Sequence, residues 1–330
     1  MASDKPTGAQ FEQWASLIGT IAAPITVLGA LLFYFGYVSS ASEYAYFGIN
    51  VDTIGLSTQS YIMRSPQTLL VPLLVLTLAS AGFLVLNAAV RRRITADVTQ
   101  VPDVADASAI QAQRVRHIKR IVLRSRISGL IALTVGFIML FAYPYMRDWP
   151  VYGLVTPLLI GIGAAIIAYT SHILTFLHRL QGQQKWVTAK DSKSDYEQAG
   201  GSLLARRTAG VFVYVMIAAS IFWATATIAQ WSGRGLAEYA AVHFDALPSV
   251  ILDTKEQLWL HDPPSIVTVT QLPPSEGQTY HYRYRGLRLL IVGQDRMFLV
   301  PAQWSPSDST LVVPLDGSVR VQFQFENQAP

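Results

Sequence analysis

The chain has 330 residues, of which 51% are hydrophobic and only 14% charged, with a mean hydropathy of +0.33. So apolar a composition excludes a disordered chain, and the formal charge of +4 is spread unevenly along it. Cysteine is absent, which excludes disulfides, thiolate metal sites and cysteine nucleophiles.

Residues 1–13 form a polar N-terminus. Five apolar runs follow, at 14–38, 68–90, 127–145, 151–177 and 208–230, and none has Asp, Glu, Lys or Arg at its centre. A hydrocarbon core about 30 Å thick needs about 20 apolar residues as helix. Lipid admits only helices and closed barrels, because every backbone polar group must be satisfied within the protein. The expected fold class is therefore an α-helical polytopic membrane protein with five transmembrane helices.

The first loop, 39–67, carries Tyr44, Tyr46, Phe47, Ile49 and Ile54, too many apolar groups for a tether. It is expected to lie on the membrane or against the C-terminal domain. Ser57 or Thr58 caps a short helix ending near Arg64, and Ser65-Pro66 reads as the N-cap and first residue of the second span. Residues 97–108 read as a loop. Beyond them, Ile110, Val115, Ile118, Ile121 and Val122 recur at helical spacing among Arg116, Lys119, Arg120 and Arg124. This basic amphipathic helix, running into the third span, is either a solvated extension or a surface helix holding anionic lipid. The third and fourth runs are so close that their helices must be antiparallel neighbours. Residues 181–201 read as a linker.

Small residues recur on single helix faces. One stripe holds Gly153, Pro157, Gly161, Ala164 or Ala165, Ala168 and His172, and another holds Ala15, Gly19, Ala22 or Ala23, Thr26 and Gly29 or Ala30. Such stripes let membrane helices approach closely. They are read either as packing within one bundle or as a subunit interface or pore wall, with Ser220 and Thr225 of the fifth run as further pore candidates.

Residues 231–330 change period and form the expected β-rich domain, five or six strands in a small sandwich or barrel, joined to the last span by a short helix at 237–246. Gly293-Gln294-Asp295 and Asp316-Gly317 read as hairpin turns, the second as type I′. His281, Arg283 and Arg285 alternate with Tyr280, Tyr282 and Tyr284. They are an anion-binding candidate or a solvated basic face.

Basic residues give the orientation. The N-terminus and the loops after the second and fourth runs hold 16 basic and 8 acidic residues, whereas the other two loops hold 2 and 3 and the C-terminal region 7 and 10. Loops rich in Lys and Arg stay cytoplasmic, so the N-terminus is expected inside and the C-terminal domain outside the plasma membrane. The basic balance points to anionic inner-leaflet lipid as a partner, not nucleic acid.

Two stretches carry a family likeness: Tyr46-Phe47-Gly48-Ile49 with Gly55-Leu56-Ser57-Thr58, and Tyr284-Arg285-Gly286-Leu287-Arg288 with Phe298-Leu299-Val300-Pro301. Together they resemble uncharacterised bacterial multi-pass membrane proteins with an extracytosolic C-terminal domain. The resemblance implies that architecture and transfers no functional residue.

No P-loop, nucleophile elbow or HExxH pair occurs, and Gly161-Ile162-Gly163 lies in an apolar helix without the βαβ context of a dinucleotide site. No metal, cofactor or catalytic constellation is expected. The spans lack the midplane ionisable groups that coupled transporters use. Two functions stand: an uncoupled, homo-oligomeric channel or pore for ions or small solutes with the β domain as vestibule or gate, or a membrane-anchored sensor, binding or envelope-scaffold protein acting through that domain.

Overall fold

The computed structural model describes residues 8–99, 107–146, 148–188, 199–260, 267–305 and 308–324; within these, side chains are not described at 8–21, 97–99, 107–112, 114–115, 178–188 and 199–207. The elements are α1 (Gly8–Ala45), α2 (Val51–Ile54), α3 (Thr58–Thr99), α4 (Ala107–Phe141), α5 (Tyr143–Met146), α6 (Tyr152–Thr188) and α7 (Ala199–Val242). After them come a 3-10 turn (Phe244–Ala246) and strands β1 (Ser249–Thr254), β2 (Thr268–Gln271), β3 (Tyr282–Val292), β4 (Arg296–Pro301), β5 (Leu311–Pro314) and β6 (Val319–Gln324).

Among the described residues, five helices are long and apolar enough to cross a membrane, over Ala22–Ala45, Thr58–Ala96, Arg116–Phe141, Tyr152–Leu177 and Thr208–Val242. The chain is thus a multi-pass membrane protein by length and composition of its helices. Side chains such as Leu78, Val85, Ile138 and Phe212 stand exposed on them, as a hydrocarbon solvent requires. The helices overrun the expected spans. α3 continues through the 97–99 end expected to be loop, α6 runs to Thr188 inside the expected linker, and α7 runs unbroken to Val242 where a separate short helix was expected. The rest of the 97–108 loop before α4, the linker core at 189–198 and the first seven residues lie outside the described residues.

The expected break at Ser65-Pro66 does not occur, because α3 starts at Thr58 and passes through it. Ser57 Oγ accepts the Ser60 N–H at 3.2 Å and caps that start. Pro66 has no N–H for the Ile62 carbonyl, and Ser65 Oγ donates to that oxygen instead, at 2.8 Å. This local repair keeps the helix continuous across the proline.

The chain divides into two compact units, Met1–Leu70 with Ala229–Pro330, and Val71–Ile228. In the second, α4 and α6 are antiparallel neighbours, as the tight connection requires. A Cβ on Gly129 would lie 2.9 Å from Ile166 Cγ2, and one on Gly163 would lie 2.8 Å from the Gly129 carbonyl. Tyr152 Oη donates to the Met139 carbonyl at 2.8 Å across the same pair.

In the first unit, α1, the start of α3 and the end of α7 meet the sheet. Gly36 lets α1 lie against the Tyr61 carbonyl, and Gly233 brings α7 onto the Ser39 carbonyl. Tyr44, Phe47, Ile49, Val51 and Ile54 of the first loop pack with Phe244, Phe298 and Val300 in one buried cluster. Thr310 Oγ1 donates to the Phe47 carbonyl at 2.8 Å. The loop therefore packs against the β domain, one of its two expected places.

The six strands make one antiparallel sheet in the order β5-β4-β3-β1-β6, with β2 also pairing β3. Among the described residues it is neither a closed barrel nor a two-sheet sandwich. The β3–β4 connection is the expected hairpin, with Gly293 N–H bonded to the Arg296 carbonyl at 2.8 Å. Asp316-Gly317 is not a hairpin turn, since β5 pairs β4 and β6 pairs β1. Five flat strands would set the outer two about 19 Å apart, beyond the about 17 Å that the 315–318 link reaches, so the sheet must coil. Two bulges on β3 supply the bend. One lies opposite Val250/Leu252, at Gly286 with φ 84°, and the other opposite β4 between Leu289 and Ile291.

Candidate functional site

Three adjacent strands place a charged row across the sheet. Asp253 of β1 is the register partner of Arg283 on β3 and of Arg320 on β6. Arg283 Nε and Nη2 donate to the two carboxylate oxygens at 2.8 and 3.1 Å, and Arg320 Nε donates at 3.0 Å. The Asp253 side chain has no exposed surface, while Arg283 and Arg320 remain 24% and 47% exposed. Hydrogen bonding from Arg283, then from Arg320, holds the Asp253 carboxyl below the usual carboxylate range against the opposing effect of burial, and the same contact raises Arg283.

A recess of about 430 Å³ opens over this row, lined by Tyr280, Arg283, Arg320 and the 272–279 connection. The Arg320 guanidinium stacks over the Tyr280 ring at 5.2 Å. Gly277, with φ 79°, turns the connection, and Gln278 fixes it by accepting the Ser275 N–H at 2.9 Å and donating to the Tyr280 carbonyl at 2.6 Å. Two guanidinium groups against one carboxylate leave one positive charge in excess. Each Arg carries five N–H donors in a planar fork, so both can still meet an anion from the recess side. The arrangement suits a carboxylate, phosphate or sulfate group.

Of the three basic residues read from the sequence, only Arg283 belongs to this site. His281 is exposed and its Nδ1 lies 3.1 Å from the Lys255 carbonyl, and Arg285 is exposed outside the recess. Asp253 and Arg320 were not among the expected residues. Arg320 sits between Val319 and Val321, which marks an outward strand position, but pairing with β1 is a long-range choice that local alternation does not encode.

The helix candidates fall differently. A Cβ on Gly161 would lie 2.9 Å from Ser220 Cβ, so these two face each other between α6 and α7. Likewise Thr227 Oγ1 donates to the Gly153 carbonyl at 2.8 Å. Thr225 is buried and bonds its own helix at the Ile221 carbonyl. Thr26 is exposed and bonds the Ala22 carbonyl, while Gly19 lies in α1 outside the residues whose side chains are described. Ala165 is exposed, as are Arg116, Lys119, Arg120 and Arg124 on α4. Arg91 donates to His172 Nε2 at 2.6 Å. No group of three or more His, Asp or Glu residues converges among the described residues.

No protein-family model, curated protein or solved structure matches the chain. The fold and the site define a multi-pass membrane protein with a C-terminal antiparallel β domain that carries a basic recess.

Proposed function

We propose that the chain is a membrane-anchored sensor or binding protein whose β domain, on the extracytosolic side of the plasma membrane, takes an anionic ligand group at Arg283 and Arg320. The observation that carries the reading is the recess itself: two partly exposed guanidinium groups held in fixed register by a sealed carboxylate. The aromatic cluster of the same unit supports it, because it joins the sheet to α1, α3 and α7 as a packed body. Occupancy at the recess would then be felt at membrane helices.

The test is calorimetric titration of the purified full chain with inorganic phosphate and with citrate. Wild type binds one of them saturably. Arg320→Gln weakens that binding about tenfold, as loss of one charge-assisted hydrogen-bond partner implies, and keeps the fold because Arg283 still neutralises Asp253. Arg285→Gln, the same charge change outside the recess, leaves binding intact. Equal binding in wild type and Arg320→Gln, or none in wild type, overturns the reading.

A homo-oligomeric, uncoupled channel is the second reading. It is favoured by α1, where Thr26 is exposed and Gly29 has no atom within 4 Å of an added Cβ, a small-residue face open to another copy. Against it, Ser220 and Thr225 are engaged within the chain. A ring of identical subunits with ion flux in liposomes would move the assignment to the channel.

A further inference from the structure

The unit Val71–Ile228 holds a second concavity, a groove of about 610 Å³ between α3, α4 and α6. Its volume falls in the roughly 300–1,000 Å³ range of small-molecule sites. The walls are mostly apolar, with Leu86, Ile121, Ile162 and Ile166 among them, and Arg93 is the single charged residue of the lining. On α3 the lining runs from Phe83 to Ile94, about 16 Å at the helical rise. That is one leaflet's share of a hydrocarbon core about 30 Å thick.

Basic residues flank the groove along α4. On α3 Arg91 lies beside the lining, and exposed Lys119, Arg120, Arg124 and Arg126 stand on α4 near the lining residues Ile118, Ile121, Ser125 and Ser128. Arg91 is held over Phe176 at 5.5 Å and bonded to His172. At the deeper end the lining is Phe83, Ser128 and Ile162. Tyr169, in edge contact with Phe83, lines the groove with a hydroxyl that is buried without a hydrogen-bond partner. A transmembrane helix of a partner would cross both leaflets, whereas this groove ends after one. Its length, its apolar wall and its cationic flank, with Arg93 in the lining itself, together fit one lipid.

We infer that this groove binds an anionic phospholipid of the surrounding leaflet, with an acyl chain along Leu86, Ile121 and Ile166 and the headgroup phosphate at Arg93. The exposed row Arg116, Lys119, Arg120 and Arg124 flanks the groove without lining it and attracts the leaflet as a whole. A surface charge of that kind acts on every anionic lipid nearby, while the groove selects and retains a single molecule.

The test uses the full chain in mixed phosphatidylglycerol and phosphatidylcholine, with native mass spectrometry counting the lipid retained on release from detergent. Wild type retains one phosphatidylglycerol in preference to phosphatidylcholine. Arg93→Gln lowers that preference about fivefold, the factor expected for one basic group at a lipid surface. Arg92→Gln, with the same charge loss outside the lining, leaves it unchanged. Ala165→Phe fills the groove from an exposed position and abolishes retention at unaltered melting temperature; Ile162→Trp serves if that variant does not fold. Equal losses for Arg92→Gln and Arg93→Gln mean diffuse surface attraction and overturn the site. Unaltered retention in the filled variants, or a second copy of the chain seated where lipid was expected, overturns it too. None of these outcomes bears on anion binding at Arg320.

Discussion

Asp253 concentrates the chemistry of the sheet domain in one residue. A carboxylate without exposed surface is tolerated only when paired and hydrogen-bonded, and Arg283 and Arg320 provide both. Its folded-state acidity is strengthened relative to an unfolded carboxyl near pH 3.9. The unfolded state therefore binds the proton first, so the pair's stabilisation is complete above about pH 4 and is lost as pH falls through the lower folded value. Asp253→Asn should flatten this acid limb in urea melts between pH 2 and 7. At pH 7 the variant should lose about 2 kcal/mol, less than the 3–5 of a fully buried broken pair, because Arg320 is half-exposed and rehydrates. An acid limb as steep in the variant as in wild type would refute this role. Asp295 shows the contrast. Hydrogen bonding from Arg296 also holds its carboxyl below the usual carboxylate range, but the pair lies at an exposed turn and fixes no strand register.

At the scale of elements, two glycines of α1 separate intrinsic propensity from packing. Helix propensity alone says that Gly→Ala should stabilise at both by up to about 1 kcal/mol. At Gly29 an added Cβ meets nothing within 4 Å, whereas at Gly36 it would lie 2.0 Å from the Tyr61 carbonyl oxygen. Thermal melts of the two alanine variants should therefore move in opposite directions, Gly29→Ala unchanged or upward and Gly36→Ala downward by several degrees. A neutral Gly36→Ala would show that α1 and α3 do not depend on that approach. The five spans were legible because a run of some 20 apolar residues has one solution in lipid. The tight antiparallel α4–α6 pair was legible from its short connection. Their ends were not, because charged residues continue a helix into water without any stop signal, as α3 and α6 do. Asp316-Gly317 misled for a different reason. The dipeptide encodes a reversal of direction, while the partner of each strand is chosen by burial, and Val313 and Val321 find theirs on β4 and β1. The basic site was half legible: Arg283 could be read from alternation, but Asp253 and Arg320 join it only through strand order.

At the scale of the whole molecule, an odd number of spans would put the two ends of the chain on opposite sides of the membrane, and charge decides which. With 16 basic residues in the N-terminus and the loops after the second and fourth spans, against 2 in the other two loops, the basic side should stay cytoplasmic. The absence of cysteine lets this be tested with single reporters on an otherwise unreactive chain. Gln113 of α4 and Ser275 of the β2–β3 connection are both exposed, so neither reporter is hidden by packing. Treated with a membrane-impermeant maleimide, intact cells carrying Ser275→Cys should be labelled and those carrying Gln113→Cys should not, and permeabilisation should equalise the two. This outcome places the Arg283–Arg320 recess where it meets extracellular anions and the Arg93 groove in the inner leaflet, which is enriched in anionic lipid. The reverse labelling would invert both assignments together: the recess would face the cytoplasm, and the groove would have to draw its lipid from the outer leaflet.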